Sequence, residues 1–243
     1  SFEFVSSRYG NLELGRRAFP AFMDVDGDNN LDLIVGNSAG ELRYYRRELG
    51  SGDAKWTLES KHFLGYQGRK NSAPVFTDLD GDGDFDLLVG NQEGSIDYWE
   101  NKGNSEIADF VYNPTQFIGV AGGNLIGQLR KFDRIEQGNG FYFRLERRKY
   151  LNLDIGIGSV PKITDLNNDQ QPDLIIGSDS GNIISFQPDP EKPGILSWKP
   201  SLEYFKQLNL PIGGNPEFVD LDTDGDLDLI VGSEEGTLYA FRN

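Results

Sequence analysis

Residues 78–90 read DLDGDGDFDLLVG: five aspartates on alternate positions, running directly into an apolar strand. Carboxylates packed this closely repel one another. Each like pair at about 4 Å costs roughly 1 kcal/mol in water and about 4 kcal/mol near a protein surface. Either a cation or full solvation must offset that repulsion.

The stretch recurs without a gap, as DVDGDNNLDLIVG from Asp24, DLNNDQQPDLIIG from Asp165 and DLDTDGDLDLIVG from Asp220. Counting the first Asp as position 1, acids return at positions 5 and 9 in every copy. Position 3 is Asp26, Asp80, Asn167 or Asp222. A proline stands four residues before each copy (Pro20, Pro74, Pro161, Pro216), where a strand opens and no ladder hydrogen bond need be donated. The apolar runs Leu33–Val35, Leu87–Val89, Leu174–Ile176 and Leu229–Val231 read as strands covered on both faces. Glycines at positions 13 and 17 bracket a polar tip, as in hairpins, and an alternating third strand follows. A more polar fourth strand is expected around Trp56, Phe110 and Trp198.

Four antiparallel strands per repeat, arranged radially, make the blade of a β-propeller, so the fold class is all-β. The expected domain is single and spans 1–243. The last repeat stops at its third strand, while Phe2 and Phe4 alternate at the other end of the chain. Residues 1–7 are therefore expected to supply the outer strand of the last blade and cover two open sheet edges. Successive first aspartates are 54, 87 and 55 residues apart, so the interval 102–160 is too long for a simple connection. It holds either a hairpin insertion in a four-bladed ring or a fifth, degenerate blade. Laying Phe132-Asp133 over Phe85-Asp86 favours five.

These loops and strands resemble the FG-GAP/VCBS repeats that form integrin α-subunit-like propellers. The resemblance implies a nine-residue calcium loop between the first two strands of a blade, with up to four Ca²⁺ ions in this chain. The implied side-chain ligands are Asp24, Asp26, Asp28 and Asp32; Asp78, Asp80, Asp82 and Asp86; Asp165, Asn167, Asp169 and Asp173; and Asp220, Asp222, Asp224 and Asp228. Asn30, Asp84, Gln171 and Asp226 would ligate through their backbone carbonyls. The family's glycine at position 6 survives only as Gly83 and Gly225, and Gln170 is an unexpected residue there. Hard oxygen donors suit calcium, whereas zinc prefers nitrogen or sulfur. An EF-hand would need Glu at position 12, where these copies carry Val or Ile. The alternative is four solvated acidic turns. The loop from Asp165, with one carboxylate fewer, is expected to bind most weakly.

Composition bears on function by exclusion. Fifteen of the acids lie at the implied ligand positions and account for nearly all of the net charge of −16, so no basic partner such as nucleic acid is called for. There is no cysteine and one histidine, His62, expected on an outer strand; this leaves thiol nucleophiles and His-based triads unsupported. No apolar run is long enough for membrane insertion. Starting at Ser1 without a signal peptide is expected of a trimmed mature protein or an excised fragment. The reading is a secreted or cell-surface, non-catalytic recognition or adhesion module for a protein or glycan. A calcium-dependent, lyase-like polysaccharide enzyme and a structural module of a larger chain are the alternatives. Tyr44, Tyr45, Trp56, Tyr98 and Trp99 are candidate sugar platforms, with packing between blades as the competing role. Arg130–Lys149, at +4, is a candidate anion contact, with a solvated hairpin surface as its competitor.

Overall fold

The computed structural model describes residues 2–48, 55–93, 95–104, 107–114, 131–137, 140–147, 159–189, 191, 198–201, 205, 208 and 210–243, with backbone only for 131–147. Among these, each copy of the repeat folds as a four-stranded antiparallel sheet. Blade I comprises β2 (Phe19–Met23), β3 (Asp32–Gly36), β4 (Leu42–Glu48) and β5 (Lys55–Ser60). Blade II comprises β6 (Ala73–Thr77), β7 (Asp86–Gly90), β8 (Ile96–Asn101) and β9 (Phe110–Tyr112). Blade III comprises β12 (Val160–Thr164), β13 (Asp173–Gly177), β14 (Ile183–Pro188) and β15 (Trp198–Ser201). Blade IV takes β16 (Asn215–Val219), β17 (Asp228–Gly232) and β18 (Leu238–Arg242) from one end of the chain and β1 (Glu3–Ser6) from the other. The arrangement is that of a four-bladed β-propeller.

The five-blade expectation is not supported. Between β9 and β12 the described residues give one two-stranded sheet, β10 (Lys131–Gln137) against β11 (Gly140–Arg147). They pair only with each other, and supply counterparts of the second and third strands of a blade. The sequence of the interval does not repeat the proline and aspartate-rich stretch that begin every true repeat.

The apolar second strands hold the blades together because alternate residues face opposite neighbours. Leu33 and Val35 pack with Ile230, Leu238 and Ala240 of blade IV, while Ile34 packs with Leu87, Val89 and Trp99 of blade II. Ile175 of blade III meets Leu229, Val231 and Phe241 of blade IV. The runs of blades I and IV are thus buried on both sides. The first strands follow the same order, with β6 against β2 and β3, β2 against β16 and β17, and β16 against β12 and β13. On the remaining sides, Leu174 and Ile176 cluster with Phe186 of their own blade, and Leu88 is half-buried.

The position-13 glycines sit at these junctions. A Cβ on Gly36, Gly177 or Gly232 would stand 2.0, 2.2 or 2.0 Å from the backbone oxygen of Ser72, Gly214 or Ala18 in the neighbouring blade. Backbone bonds cross there too: Ala18 N donates to Ser233 O and Arg17 N to Glu234 O, each at 3.0 Å. Gly90 is different, since among the described residues the nearest atom to its Cβ position is 3.9 Å away. It lies on the side of blade II that faces away from blade I.

In blade IV, Phe4 of β1 lies opposite Phe241 and Glu3 opposite Arg242, and Phe2 stacks on Phe205 at 5.8 Å. Deleting residues 1–7 would expose the outer edge of β18 and half of this aromatic cluster. The truncated protein is expected to melt earlier and to associate. Size-exclusion chromatography with light scattering and a melting curve check this, and a monomer of full stability would refute it.

Candidate metal centre

Each acidic loop joins the first strand of a blade to the second: loop I spans 24–32, loop II 78–86, loop III 165–173 and loop IV 220–228. The turn is built by aspartates accepting bonds from their own backbone. In loop I, Asp24 accepts from the N–H groups of Gly27 and Asn29 at 2.8 Å, and Asp28 accepts from Asn30 N at 2.8 Å. Loop II repeats this, with Gly81 N on Asp78 at 2.7 Å and Asp84 N on Asp82 at 3.1 Å. In loop III, Gln170 N donates to Asp165 at 2.7 Å and Gln171 N to Asp169 at 2.8 Å.

This winding needs left-handed backbone at positions 4 and 6. Gly83 and Gly225 satisfy it at position 6 with φ of 96° and 95°, whereas Asn29 and Gln170 adopt 64° and 66°. Gln170 is therefore forced into the conformation that its residue type disfavours. Thr223, β-branched with φ 62° at position 4, is more strained still.

The outcome is convergence of charge. In loops I, II and IV one carboxylate oxygen from each of positions 1, 3 and 5 lies within 4.8 Å of the others: Asp24, Asp26, Asp28; Asp78, Asp80, Asp82; and Asp220, Asp222, Asp224. Loop III has Asp165 and Asp169, with Asn167 at position 3 donating to Asp169 at 3.0 Å. In loop IV, Arg242 Nε pairs with Asp222 at 2.9 Å, a local counter-charge on one member of the triplet.

Position 9 behaves differently. Asp32, Asp86, Asp173 and Asp228 are buried at the start of the second strand. One oxygen of each accepts the position-2 N–H, from Val25, Leu79, Leu166 or Leu221, at 3.0 to 3.2 Å. The other oxygen reaches the end of the third strand, accepting from Arg47 N, Asn101 N and Asn243 N at 3.0, 2.8 and 3.1 Å in blades I, II and IV. Each of these aspartates thus ties the acidic loop to its blade. Burial pushes the Asp32 carboxyl up to about 6, against the opposing bonds from Arg47, Tyr44 and Val25. Burial also raises Asp86, Asp173 and Asp228. Asp84 rises to about 6 through burial and the adjacent Asp82.

The donor set is all oxygen and overwhelmingly carboxylate. Three buried carboxylate oxygens in these loops, Asp84 Oδ1, Asp173 Oδ1 and Asp220 Oδ1, have no hydrogen-bond partner. A hard divalent cation fits such a set, and calcium tolerates its irregular geometry better than magnesium does.

This alternation of aspartate loop and apolar strand is shared with a known family. Residues 24–89 match the family model of an FG-GAP-like repeat. The FG-GAP-like match runs from the first aspartate of loop I to the second strand of blade II, and so contains two acidic loops, the last three strands of blade I and the first strand of blade II. No curated protein matches the chain significantly.

The other candidates resolve toward structure. Tyr45, Tyr98 and Trp99 are buried, Tyr44 donates to Asp32 at 3.0 Å, and Trp56 packs edge-on against Phe22 and Tyr9. They pack blades I and II. His62 lies just past β5, not on it, with Nδ1 3.2 Å from the Tyr66 carbonyl and a bridge to Leu42. The side chains of the basic stretch Arg130–Lys149 lie outside the described residues. What sequence reasoning missed was the backbone capping of position 9. Its signal was present in the invariant fifteen-residue step from each of these aspartates to the end of the third strand.

Proposed function

We propose that this chain is a calcium-stabilised β-propeller that serves as a non-catalytic recognition module outside the cell. The single observation that carries the reading is the convergence of three carboxylates within 4.8 Å in loops I, II and IV. An ion there would be held by positions 1, 3 and 5, with the carbonyl at position 7 and the carboxylate at position 9 completing an oxygen shell. It would neutralise the repulsion that otherwise opposes closing each loop. No helix among the described residues is long and apolar enough to cross a membrane. The abundance of calcium outside cells supports an extracellular setting, and the ligand is a protein or a glycan.

Calorimetric titration of chelator-stripped protein with CaCl₂ tests the metal reading. Saturable binding of up to four ions is expected, with one equivalent lost in Asp28→Ala. No heat above dilution would overturn it. A glycan array with and without CaCl₂ then tests recognition.

A further inference from the structure

The acidic loop of blade IV carries a cation of its own. Arg242, near the end of β18, places Nε 2.9 Å from Oδ2 of Asp222, the position-3 member of the converging triplet Asp220, Asp222 and Asp224. The next residue holds the same loop, since Asn243 N donates to Asp228 Oδ1 at 3.1 Å. Consecutive residues of one strand end thus bind positions 3 and 9 of loop IV.

Strand register shows why the other loops differ. Phe241 lies opposite Leu229, Tyr45 opposite Leu33, Trp99 opposite Leu87 and Phe186 opposite Leu174. The next residue along each third strand is therefore the counterpart of Arg242: Arg46 in blade I, Glu100 in blade II and Gln187 in blade III. Arg46 turns to its outer strand, with Nε 3.1 Å from Glu59 of β5. Glu100 brings a carboxylate where blade IV has a cation, and pairs with Lys102. Gln187 is uncharged. In blade IV the outer strand is β1, where Glu3 lies opposite Arg242, and the guanidinium nonetheless reaches the loop. Among the described residues, loop IV alone has a guanidinium bonded to its position-3 acid.

We infer that Arg242 is a built-in competitor for the loop IV cation: it holds a ligand carboxylate when the metal is absent and sets this site's affinity below that of loops I and II. The inference rests on the calcium reading above. A divalent ion entering among Asp220, Asp222 and Asp224 must either displace the guanidinium from Asp222 or accept a positive charge across the width of one carboxylate, and both oppose binding. A guanidinium stays charged at neutral pH, so the competition is not titrated away. Calcium affinity follows the charge of the ligand set. Loops I, II and IV have equal numbers of ligand carboxylates, and the strand beside them separates their sites. The Arg242–Asp222 pair is partly exposed and contributes little stability by itself. Its effect is on the metal.

The test is calorimetric titration with CaCl₂, at low salt, of chelator-stripped wild type, Arg242→Gln, Arg242→Lys and Glu100→Arg, each also melted in EDTA and in CaCl₂. Arg242→Gln is expected to bind about tenfold more tightly at one site, about 1.4 kcal/mol, and to gain more in melting temperature from CaCl₂ than wild type does. Arg242→Lys, which keeps the charge, is expected to bind like wild type. Glu100→Arg puts a cation at the equivalent place in blade II and is expected to bind about tenfold more weakly at one site. It keeps the inference testable if Arg242→Gln fails to fold, and unchanged sites there would then overturn it. An Arg242 of purely structural role would, on substitution, lower the melting temperature in EDTA without tightening any site. A wild type that binds calcium while Arg242→Gln shows unchanged or weaker sites overturns the inference alone. A wild type that gives neither heat nor a shift in melting with CaCl₂ overturns the calcium reading and this inference with it.

Discussion

Excess chelator is expected to lower the melting temperature by tens of degrees. At free calcium a hundredfold above each Kd, a site contributes roughly 2.7 kcal/mol, so four contribute about 11 kcal/mol. The whole stability of a typical domain is about 5–15 kcal/mol. Differential scanning calorimetry in EDTA and in CaCl₂ measures the difference, and superimposable traces would refute the expectation. The acid limb of the pH profile provides an internal check. Without metal, Asp32 holds its proton up to about pH 6 in the folded state against 3.8 when unfolded. The folded form therefore binds the extra proton between those values, and stability falls as pH rises through them, by up to about 3 kcal/mol. A bound cation favours the ionised carboxylate and depresses its folded value, so with calcium the slope reverses and stability rises with pH over the acid range.

A single methyl group is expected to separate two glycines that occupy the same position of the repeat. Gly232→Ala puts a Cβ 2.0 Å from Ala18 O and 2.9 Å from the Pro20 ring, at the junction of blades IV and I. Neither neighbour is the free end of a flexible side chain. The backbone bonds from Ala18 and Arg17 across that junction must shift with it. A loss of about 3 kcal/mol or more is expected, roughly 10 °C for a chain of this size. Among the described residues Gly90→Ala meets nothing nearer than 3.9 Å, and it is expected to stay within about 1 kcal/mol of wild type. Equal effects in the two variants would show that the blade junctions do not set the glycine requirement.

The same contrast shows what could be read in advance. Gap-free repeats ending in Leu-Ile-Val runs carried strand order and blade architecture, because alternation and burial on both faces are local properties of the chain. The aspartate triplets were legible for the same reason, since positions 1, 3 and 5 of a tight turn cannot avoid one another. Gly36, Gly177 and Gly232 were read as bracketing a turn, yet their constraint comes from backbone far away in sequence, Ser72, Gly214 and Ala18. The buried caps on Asp32, Asp86 and Asp228 were missed likewise, because a backbone N–H leaves no residue-type signature unless a proline removes it. Of the two blade counts left open, five is not supported, because among the described residues Lys131–Arg147 gives only a hairpin resembling the two middle strands of a repeat.

The pairing of β1 with β18 has a mechanical consequence. Glu3 lies opposite Arg242 and Ser6 opposite Ala240, so the two strand ends nearest the chain termini are adjacent. Ladder bonds in an antiparallel pair run perpendicular to the strands. A force drawing those ends apart would act along the bonds and break them one after another, as in unzipping, instead of loading them together in shear. Blade IV would peel open under tension while blades I to III, whose strands are consecutive in the chain, carried none of the initial load.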